Sequence, residues 1–433
     1  MIGKYFKVNS NLVLLLLITA FTPLAYTIKS PLIIIMLLLS IILILFDKNM
    51  VFNEKCFVIY ILLFSYFGVG FSFIKFYDLF MIFFLLIRII RQDKIVSLRI
   101  SIMSIMFLVV IILSFINQSN LNISTGIEIF RYFLCIATVF SFSNLTIDYD
   151  NIRKPLFIIA LGLIVQGIEV CILFLKYNIQ PVTSPFLTVE FYNDFHETRV
   201  SGFFSDPNKY FLFFLFLIII MYQLDDKHKD SILLNFVGAI SSLSRTVFLS
   251  IASYGITYVI EFNEHKKRKV YLKLLLIIFL SFLGYLLFKD TIIPLINDVF
   301  LKMLELLGRD RTAEINSNIQ EDNRVQIWKT VINYLPLRPI LGNGPLSYSS
   351  FGMQHPTHNT YLNLILDYGF AGVVTYFSLI SDLFKKIPVR FVVSFILIPM
   401  FFLDLGNFRL IFLLIGILNT KGENEDERSY SYN

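Results

Sequence analysis

Histidine is scarce in this chain, and two of its five histidines lie three residues apart, just before a long apolar run. They are His355 and His358 in the stretch HPTHNTYLNLILDYGFAGVV. Pro356 prevents a regular helix from passing through His355, whereas His358 and Asn359 fall at the start of the helix that the apolar run predicts. The positive end of a helix disfavours imidazolium, so it favours the neutral imidazole that a general base requires. His358 is therefore the candidate base, with Asn359 as a supporting residue, and His355 is predicted to be a loop residue.

Three arginines could supply complementary chemistry, because each stands next to an apolar run. Arg199 precedes VSGFFSDPNKYFLFF, Arg245 interrupts SSLSRTVFLS, and Arg324 opens RVQIWKTVINYLPLRPILGNGP. A charge at membrane depth costs about 2.5–3.5 kcal/mol on insertion scales, so such a residue usually faces a cavity, a partner or a charged ligand. The planar guanidinium fork suits phosphate oxygens. Three arginines and one histidine on one face of a membrane predict a site for a lipid pyrophosphate.

Each arginine also has a plainer interpretation, and the residues alone leave both open. Arg199 could be an interfacial residue at a loop-to-helix junction, and Arg245 could snorkel at a short turn. Arg324 could lie on a surface helix packed against the membrane domain.

The first arginine, Arg199, comes shortly before a predicted helix start. Asp206 is a suitable N-cap and Pro207 suits the first turn, which places Asn208 at the beginning of the next helix. Asn208 is therefore a supporting residue of the candidate site.

The third arginine opens a predicted amphipathic helix. Trp328 and the apolar residues around it recur at helical spacing after the polar EDN, and Arg324 lies one turn before Trp328, the third supporting residue. Pro336 and Pro339 end this helix, and the GNGP stretch that follows predicts a turn whose backbone can approach a ligand closely.

The composition predicts an integral membrane protein rather than a soluble domain. Hydrophobic residues make up 56% of the 433 residues and charged residues 16%, against about 25% charged in soluble domains. The net charge of +6 reflects the placement of basic loops and predicts no nucleic-acid partner. The three cysteines lie in apolar runs, so no disulfide is predicted. The histidine pair lacks a third ligand nearby, and no metal is predicted.

Hydropathy predicts an all-α, polytopic transmembrane helix bundle with about 12–14 spans. The candidate spans are approximately 10–28, 31–46, 56–74, 77–90, 100–116, 127–147, 155–176, 208–223, 231–243, 246–262, 270–288, 358–383, 388–404 and 407–419. Glu128 and Arg131, one turn apart, are expected to pair within the bundle.

Lysine and arginine in alternate short loops predict that both termini are cytoplasmic. The regions are then an N-terminal bundle, a first periplasmic loop, central spans, a large periplasmic loop, C-terminal spans and a cytoplasmic tail: 1–176, 177–207, 208–288, 289–357, 358–419 and 420–433. His358 and the arginines fall on the periplasmic side in this arrangement.

The motifs RVSGFFSDPN (199–208), SLSRTVFLS (242–250), RVQIWKTVINYLPLRPILGNGP (324–345) and HNTYLNLILDYGFAGV (358–373) occur in an order and spacing that resemble the O-antigen ligase and polymerase superfamily of Wzy/WaaL-type membrane glycosyltransferases. The resemblance covers about residues 199–375. Asp367 stands in the carboxylate-x-Gly motif where glutamate is more common.

This resemblance implies a GT-C-like fold and transfer of undecaprenyl-pyrophosphate-linked glycans in the bacterial inner membrane, without a cofactor. It implies that Arg199, Arg245 and Arg324 hold the donor pyrophosphate and that His358 takes a proton from the acceptor hydroxyl. The implied partners are a lipid-linked donor and acceptor, membrane lipid, and a chain-length regulator and flippase.

Polymerase and ligase share this donor site, and the divergence outside the motifs favours a polymerase of O-antigen or capsule repeats over an O-antigen ligase. A secondary transporter or flippase is the alternative from another class. It predicts internal repeats and charges along the midplane, which the sequence does not show clearly.

Overall fold

The protein is described from a computed structural model, which covers residues 10–71, 74–93, 98–118, 122–177, 179–183, 187–191, 200–224, 229–242, 244–262, 323–334, 337–353 and 356–418. Several sequence predictions lie outside these residues, among them Arg199, His355, the span 270–288 and the tail 420–433. The helices that carry Arg245 and Arg324 are described, but the side chains of these two arginines are not.

The described chain is mostly helical, as predicted. In the N-terminal part the helices are α1 (Ser10–Ile28), α2 (Leu32–Leu45), α3 (Phe52–Ser65), α4 (Phe76–Ile90), α5 (Leu98–Ile116), α6 (Ile123–Phe142) and α7 (Tyr149–Tyr177). Further along they are α8 (Pro207–Leu224), α9 (Lys229–Ser241), α10 (Arg245–Phe262), α11 (Asn323–Tyr334), α12 (Ser347–Ser350), α13 (Thr360–Ile380), α14 (Leu383–Lys386), α15 (Val389–Phe402) and α16 (Arg409–Leu418). Within α15, residues Val393–Leu397 form a π-helical segment.

Length and composition identify five of the described helices as able to cross a membrane. They are Ser10–Ile28, Leu98–Ile116, Ile123–Phe142, Asp150–Phe174 and Thr360–Ile380, and six further apolar helices are shorter. On α5, Ile105, Met106 and Ile116 are all more than half exposed, which is expected where a helix faces lipid rather than protein. The prediction of an all-α, polytopic membrane protein is confirmed.

A small four-stranded antiparallel sheet was not predicted. Its strands are β1 (Val69–Phe71), β2 (Ile74–Lys75), β3 (Val182–Thr183) and β4 (Thr188–Val189), in the order β2-β1-β4-β3. The predicted span 56–74 is wrong in its second half, because α3 ends at Ser65 and the chain turns into β1. Gly68 makes this turn possible: a Cβ there would lie 2.2 Å from the carbonyl oxygen of Glu190.

The loops that connect the helices contact one another in two groups, one at each end of the bundle. At the end that we call the site end, Gly68 N donates to Phe203 O at 2.6 Å and Gln118 Nε2 donates to Pro345 O at 3.2 Å. Residues 360 and 403–405 also bond to each other there. At the opposite end, Glu54 accepts from Asp148 N and Arg99 pairs with Asp382. The first set joins loops that the charge bias predicts on one side of the membrane, and the second set joins loops predicted on the other.

Helix α13 is broken at Gly369, whose φ of 64° and ψ of −167° suit glycine alone. Residues 339–344 fill the break: Phe370 N donates to Pro339 O at 2.8 Å, Asn343 N donates to Leu366 O at 2.9 Å, and Gly344 N donates to Asp367 O at 2.9 Å. The GNGP backbone therefore closely approaches α13, where the sequence suggested approach to a ligand.

The carboxylate of Asp367 fixes the next short helix. Its oxygens accept from Leu346 N at 3.2 Å, from Ser347 N at 3.0 Å and from Ser347 Oγ at 2.5 Å. Asp367 thus takes the place of an N-cap for α12. The DYG motif has a structural explanation in this chain: its aspartate and glycine join the large loop to α13.

Candidate functional site

His358 lies immediately before α13, at the site end of the bundle. The helix begins at Thr360 and Asn359 is its N-cap, with the Asn359 side chain accepting from Leu362 N at 3.1 Å. His358 is half-buried and has a φ of 49°. Positive φ is uncommon for residues other than glycine, and at functional sites such strain is often retained because it aims a side chain.

Two polar residues on either side hold the His358 backbone in this conformation. Thr357 Oγ1 lies 2.8 Å from the carbonyl oxygen of Asn359 and 2.7 Å from Asn363 Oδ1, which also accepts from Thr357 N at 3.3 Å. Thr357 and Asn359 are almost completely buried. The ring of His358 is therefore carried on a short, buried and hydrogen-bonded loop, as a positioned base requires.

Helix α11 is attached directly to this loop. Trp328 Nε1 donates to Thr357 O at 2.8 Å, and the Trp328 ring contacts Phe401 of α15 edge-on, with 5.5 Å between ring centroids. Arg324 lies in the first turn of α11, one turn before Trp328. The predicted amphipathic helix is confirmed, and it places the Arg324 backbone one turn from the His358 loop.

The starts of α8 and α10 are joined in the same way. Asp206 caps α8, since its Oδ1 accepts from Asn208 N at 2.8 Å, which confirms the predicted cap. The Asn208 side chain in turn accepts from Ser244 Oγ at 2.6 Å. Ser244 directly precedes Arg245, the first residue of α10. Asn208 thus links the motif after Arg199 to the motif of Arg245.

Asp404, in the connection between α15 and α16, is an acidic residue of the site that sequence reasoning missed. The residues on either side of Asp404 are hydrogen-bonded to the start of α13. Thr360 N donates to Leu403 O at 3.1 Å, and Leu405 N donates to Thr360 Oγ1 at 2.8 Å. The Asn363 side chain hydrogen-bonds to the Asp404 carboxylate. Asp404 is exposed to solvent, yet surrounding protein and then the nearby Glu128 raise the pKa of its carboxyl to about 6.

A second carboxylate lies close to Asp404 on α6. Glu128 Oε2 accepts from Arg131 at 3.0 Å, which confirms the predicted pair, and Glu128 Oε1 accepts from Asn407 Nδ2 at short distance. Both Glu128 oxygens are therefore engaged.

Lys209 brings a positive charge to the same place. Its Nζ lies 4.8 Å from the centroid of the Phe67 ring, and its charge interacts with Asp206, Arg131, Glu190 and Asp404. Lys209 lies in the first turn of α8, next to Asn208.

These contacts form a continuous series through the site end. Ser244 bonds to Asn208, and the charge of the neighbouring Lys209 interacts with that of Asp404. Asn363 bonds to both Asp404 and Thr357, and Trp328 bonds to Thr357. The segments bearing three of the four predicted motif residues, His358, Arg245 and Arg324, are thereby linked. Arg199 lies outside the described residues, one position before Val200.

Sequence reasoning missed Asp404, Lys209, Asn363 and Thr357 for different reasons. Asp404 is the last residue of the predicted span 388–404, and only two residues separate it from the next span. The stretch DLGNFR is unusually polar for so short a connection, and that contrast is a signal in the sequence. Thr357 and Asn363 are common polar residues whose partners become visible only in three dimensions. No cluster of three metal-ligating side chains occurs within the described part of the chain.

The fold and the site together define a class: a helical membrane protein whose polar and charged groups gather at one end of the bundle. A comparison with protein families specifies it further. Residues 231–377 match the model of the Wzy_C family, described as O-antigen ligase. This match lies within the part of the chain where the motifs resemble the O-antigen ligase and polymerase superfamily, and it supports that resemblance.

The match supports an O-antigen ligase or polymerase type of function, and therefore a membrane glycosyltransferase-like enzyme that acts on lipid-linked glycans. The matched segment contains Arg245, Arg324 and His358. Lys209, Glu128 and Asp404 lie outside it. No curated protein matches the chain.

Proposed function

We propose that this protein polymerises undecaprenyl-pyrophosphate-linked oligosaccharide repeats into O-antigen or a related surface polysaccharide. The observation that carries this proposal is the meeting of the motif-bearing segments at one end of the bundle, around His358. Transfer of a glycan from a lipid pyrophosphate needs a base and a cationic site for the leaving group, and these segments bring one histidine and the arginine-bearing helices together.

In the proposed reaction, the imidazole of His358 takes the proton of an acceptor sugar hydroxyl. The hydroxyl oxygen attacks the anomeric carbon of the growing glycan, and the bond from that carbon to the pyrophosphate oxygen breaks. Undecaprenyl pyrophosphate leaves with the bonding electrons. Arg199, Arg245 and Arg324 neutralise its negative charge, which lowers the barrier because that charge grows as the bond breaks. The reaction requires no metal and no cofactor.

Asn208, Trp328 and Asn359 are proposed to position these groups rather than to react. Asn208 holds the start of α10 through Ser244, Trp328 holds α11 against the His358 loop, and Asn359 caps α13. Each of the three side chains makes a hydrogen bond that fixes an element bearing a reacting or binding residue.

We further propose that the site end faces the periplasm of the bacterial inner membrane, with both termini in the cytoplasm. The support is the agreement between two independent patterns: the Lys/Arg bias of the loops and the division of loop contacts between the two ends. A chain-length regulator and a flippase are the proposed partners.

An O-antigen ligase is the second candidate function, because the matching family carries that description. It would use the same donor chemistry and transfer the finished glycan to lipid A-core. Deleting the gene and resolving the surface glycans on a gel separates the two. Lipid A-core bearing a single repeat supports the polymerase, whereas loss of all glycan from the core, with long lipid-linked chains accumulating, supports the ligase.

The residue roles are tested by His358→Ala and by Arg199→Lys and Arg324→Lys. His358→Ala should abolish transfer while the protein level in the membrane stays normal, and normal chain length in this variant would refute the role of His358. Each lysine variant keeps a charge but loses the bidentate fork, so we expect a clear loss of activity. Lys48→Arg at the opposite end is the matched control, and it should behave as the wild type.

A further inference from the structure

Arg131 lies near the middle of a helix that can cross the membrane, and its side chain is not buried. Helix α6 is one of the five described helices that are long and apolar enough to span, and Arg131 follows its first residue, Ile123, by eight positions. This is about 12 Å along the axis, at 1.5 Å per residue. Even so, 45% of the Arg131 side-chain surface is exposed. Because a charge in contact with hydrocarbon is costly, a charged residue at this depth is expected to face a polar space on a substrate pathway.

The face of α6 that carries Arg131 is open toward the site end and covered toward the opposite end. One and two turns before Arg131, Ile127 is half-buried and Ser124 is exposed. One and two turns after it, Cys135 and Thr138 are completely buried. Arg131 therefore lies at the inner end of a cleft that opens toward the site end.

A carboxylate fixes the direction of the Arg131 side chain. Arg131 Nη1 donates to Glu128 Oε2 at 3.0 Å, and the other oxygen of Glu128 accepts from Asn407 Nδ2. A guanidinium has five N–H groups, so this contact leaves further donors on the exposed side. Helical side chains lean toward the helix N-terminus, which for α6 is the site end, and these donors therefore point into the cleft.

The same contacts connect Arg131 to the candidate base. Asn407 belongs to the connection between α15 and α16, and residues 403–405 of this connection are hydrogen-bonded to Thr360. Thr360 lies two residues after His358. Arg131 thus borders the site through hydrogen bonds and a short stretch of backbone, although it lies outside the four sequence motifs.

The chemistry of a lipid-linked glycan indicates which part would meet Arg131. The prenyl chain lies in the hydrocarbon, the glycan lies in water, and the pyrophosphate stands between them. Only the pyrophosphate is anionic, and its oxygens suit the planar guanidinium fork. A cationic group at membrane depth, in a cleft that opens to the site end, matches the pyrophosphate rather than the glycan or the prenyl chain.

We propose that Arg131 is a further binding residue for the pyrophosphate of the lipid-linked substrate. This proposal rests on the proposed function and deepens it, because it adds a phosphate contact from the N-terminal half of the chain. Glu128 and Asn407 act in it as positioning residues that hold the guanidinium at the inner end of the cleft. A glycerophospholipid also carries a phosphate, and the experiment separates these two sources.

The test measures binding to the full-length protein in detergent, with undecaprenyl pyrophosphate, undecaprenol and phosphatidylglycerol as separate probes. We expect Arg131→Gln to weaken the binding of undecaprenyl pyrophosphate about tenfold or more, as the loss of a hydrogen bond between charged groups implies. The binding of undecaprenol, which has no phosphate, should stay unchanged. Arg131→Lys keeps the charge but loses the fork, so its affinity should lie between those of the wild type and Arg131→Gln.

Arg99→Gln is the matched control. Arg99 is 51% exposed and pairs with Asp382 at 3.2 Å, but it lies at the opposite end, so this variant should bind undecaprenyl pyrophosphate as the wild type does. The double variant Glu128→Gln/Arg131→Gln tests a purely structural role. If Arg131 only neutralises Glu128, removing both charges restores binding, whereas a lost phosphate contact stays lost.

Thermal unfolding is recorded for every variant, and if Arg131→Gln fails to fold, Arg131→Lys and the double variant decide the question. Wild-type affinity in a folded Arg131→Gln, or restored affinity in the double variant, overturns the proposal. An equal loss of phosphatidylglycerol binding also overturns it, because Arg131 then contacts bulk phospholipid. A wild type that binds undecaprenyl pyrophosphate no better than undecaprenol refutes the proposed function instead.

Discussion

Gly369 offers the sharpest test of how the large loop is joined to the membrane bundle. At its φ of 64° and ψ of −167°, a side chain is strained by about 1–3 kcal/mol. A Cβ would also lie 2.3 Å from the carbonyl oxygen of Ile340 and 2.6 Å from Gly342 N, so residues 339–344 would have to move away.

That movement breaks the hydrogen bonds that fill the gap in α13. Two run from α13 to the loop, from Phe370 N to Pro339 O and from Ala371 N to Ile340 O, and two run from Asn343 N and Gly344 N back to α13. At roughly 0.5–1.5 kcal/mol each, their partial loss adds to the backbone strain. We expect Gly369→Ala to lower the free energy of unfolding by about 3–6 kcal/mol.

Gly126→Ala is the matched control, because Gly126 lies in a helix and its added Cβ would meet nothing within 4 Å. Alanine is favoured over glycine in helices by up to about 1 kcal/mol, so this variant should be as stable as the wild type or more so. The assay is thermal unfolding of the purified protein in detergent, combined with limited proteolysis within residues 337–353. Equal unfolding temperatures and equal cleavage in the two variants would show that the reasoning is wrong.

Two further predictions follow from the site. Trp328→Phe keeps the ring contact with Phe401 but loses the hydrogen bond to Thr357, so kcat should fall about three- to tenfold, in line with a loss of about 1 kcal/mol; an unchanged kcat would count against a positioning role for Trp328. The raised pKa of Asp404 means that its stabilising contribution is present below about pH 4 and is lost as the pH rises through about 6. Unfolding temperatures measured across this range should therefore fall for the wild type relative to Asp404→Asn, and a constant difference would contradict the raised pKa of this carboxyl.

The sequence predicted the parts of the fold that depend on local pattern. The start of α8 followed from Asp206 and Pro207, and the amphipathic α11 followed from the spacing around Trp328, because capping and helical periodicity are properties of neighbouring residues. The Glu128–Arg131 pair followed for the same reason, since residues three apart share a helix face.

The features that could not be predicted from the sequence depend on contacts between residues that are far apart along the chain. In the sequence, Gly68 is part of an apolar run. Only the closeness of the Glu190 backbone to Gly68 explains why α3 ends and β1 begins there. In the sequence, Asp367 is a polar residue of a motif. Its role as a cap becomes visible only through its hydrogen bond to Ser347, which lies 20 residues away along the chain. From the sequence, Asp404 is only the end of a predicted span. Its place in the site is shown by Asn363 and Thr360, which lie beside it in the structure.

The family match ends at residue 377, but residues that follow it in the chain also belong to the site. Thr360, two residues after His358, is hydrogen-bonded to Leu403 and Leu405, so the position of His358 depends on a connection that lies outside the match. A hybrid protein that received residues 231–377 from a related chain would combine a foreign start of α13 with the host's own 403–405 connection, and its activity would depend on whether the two still fit.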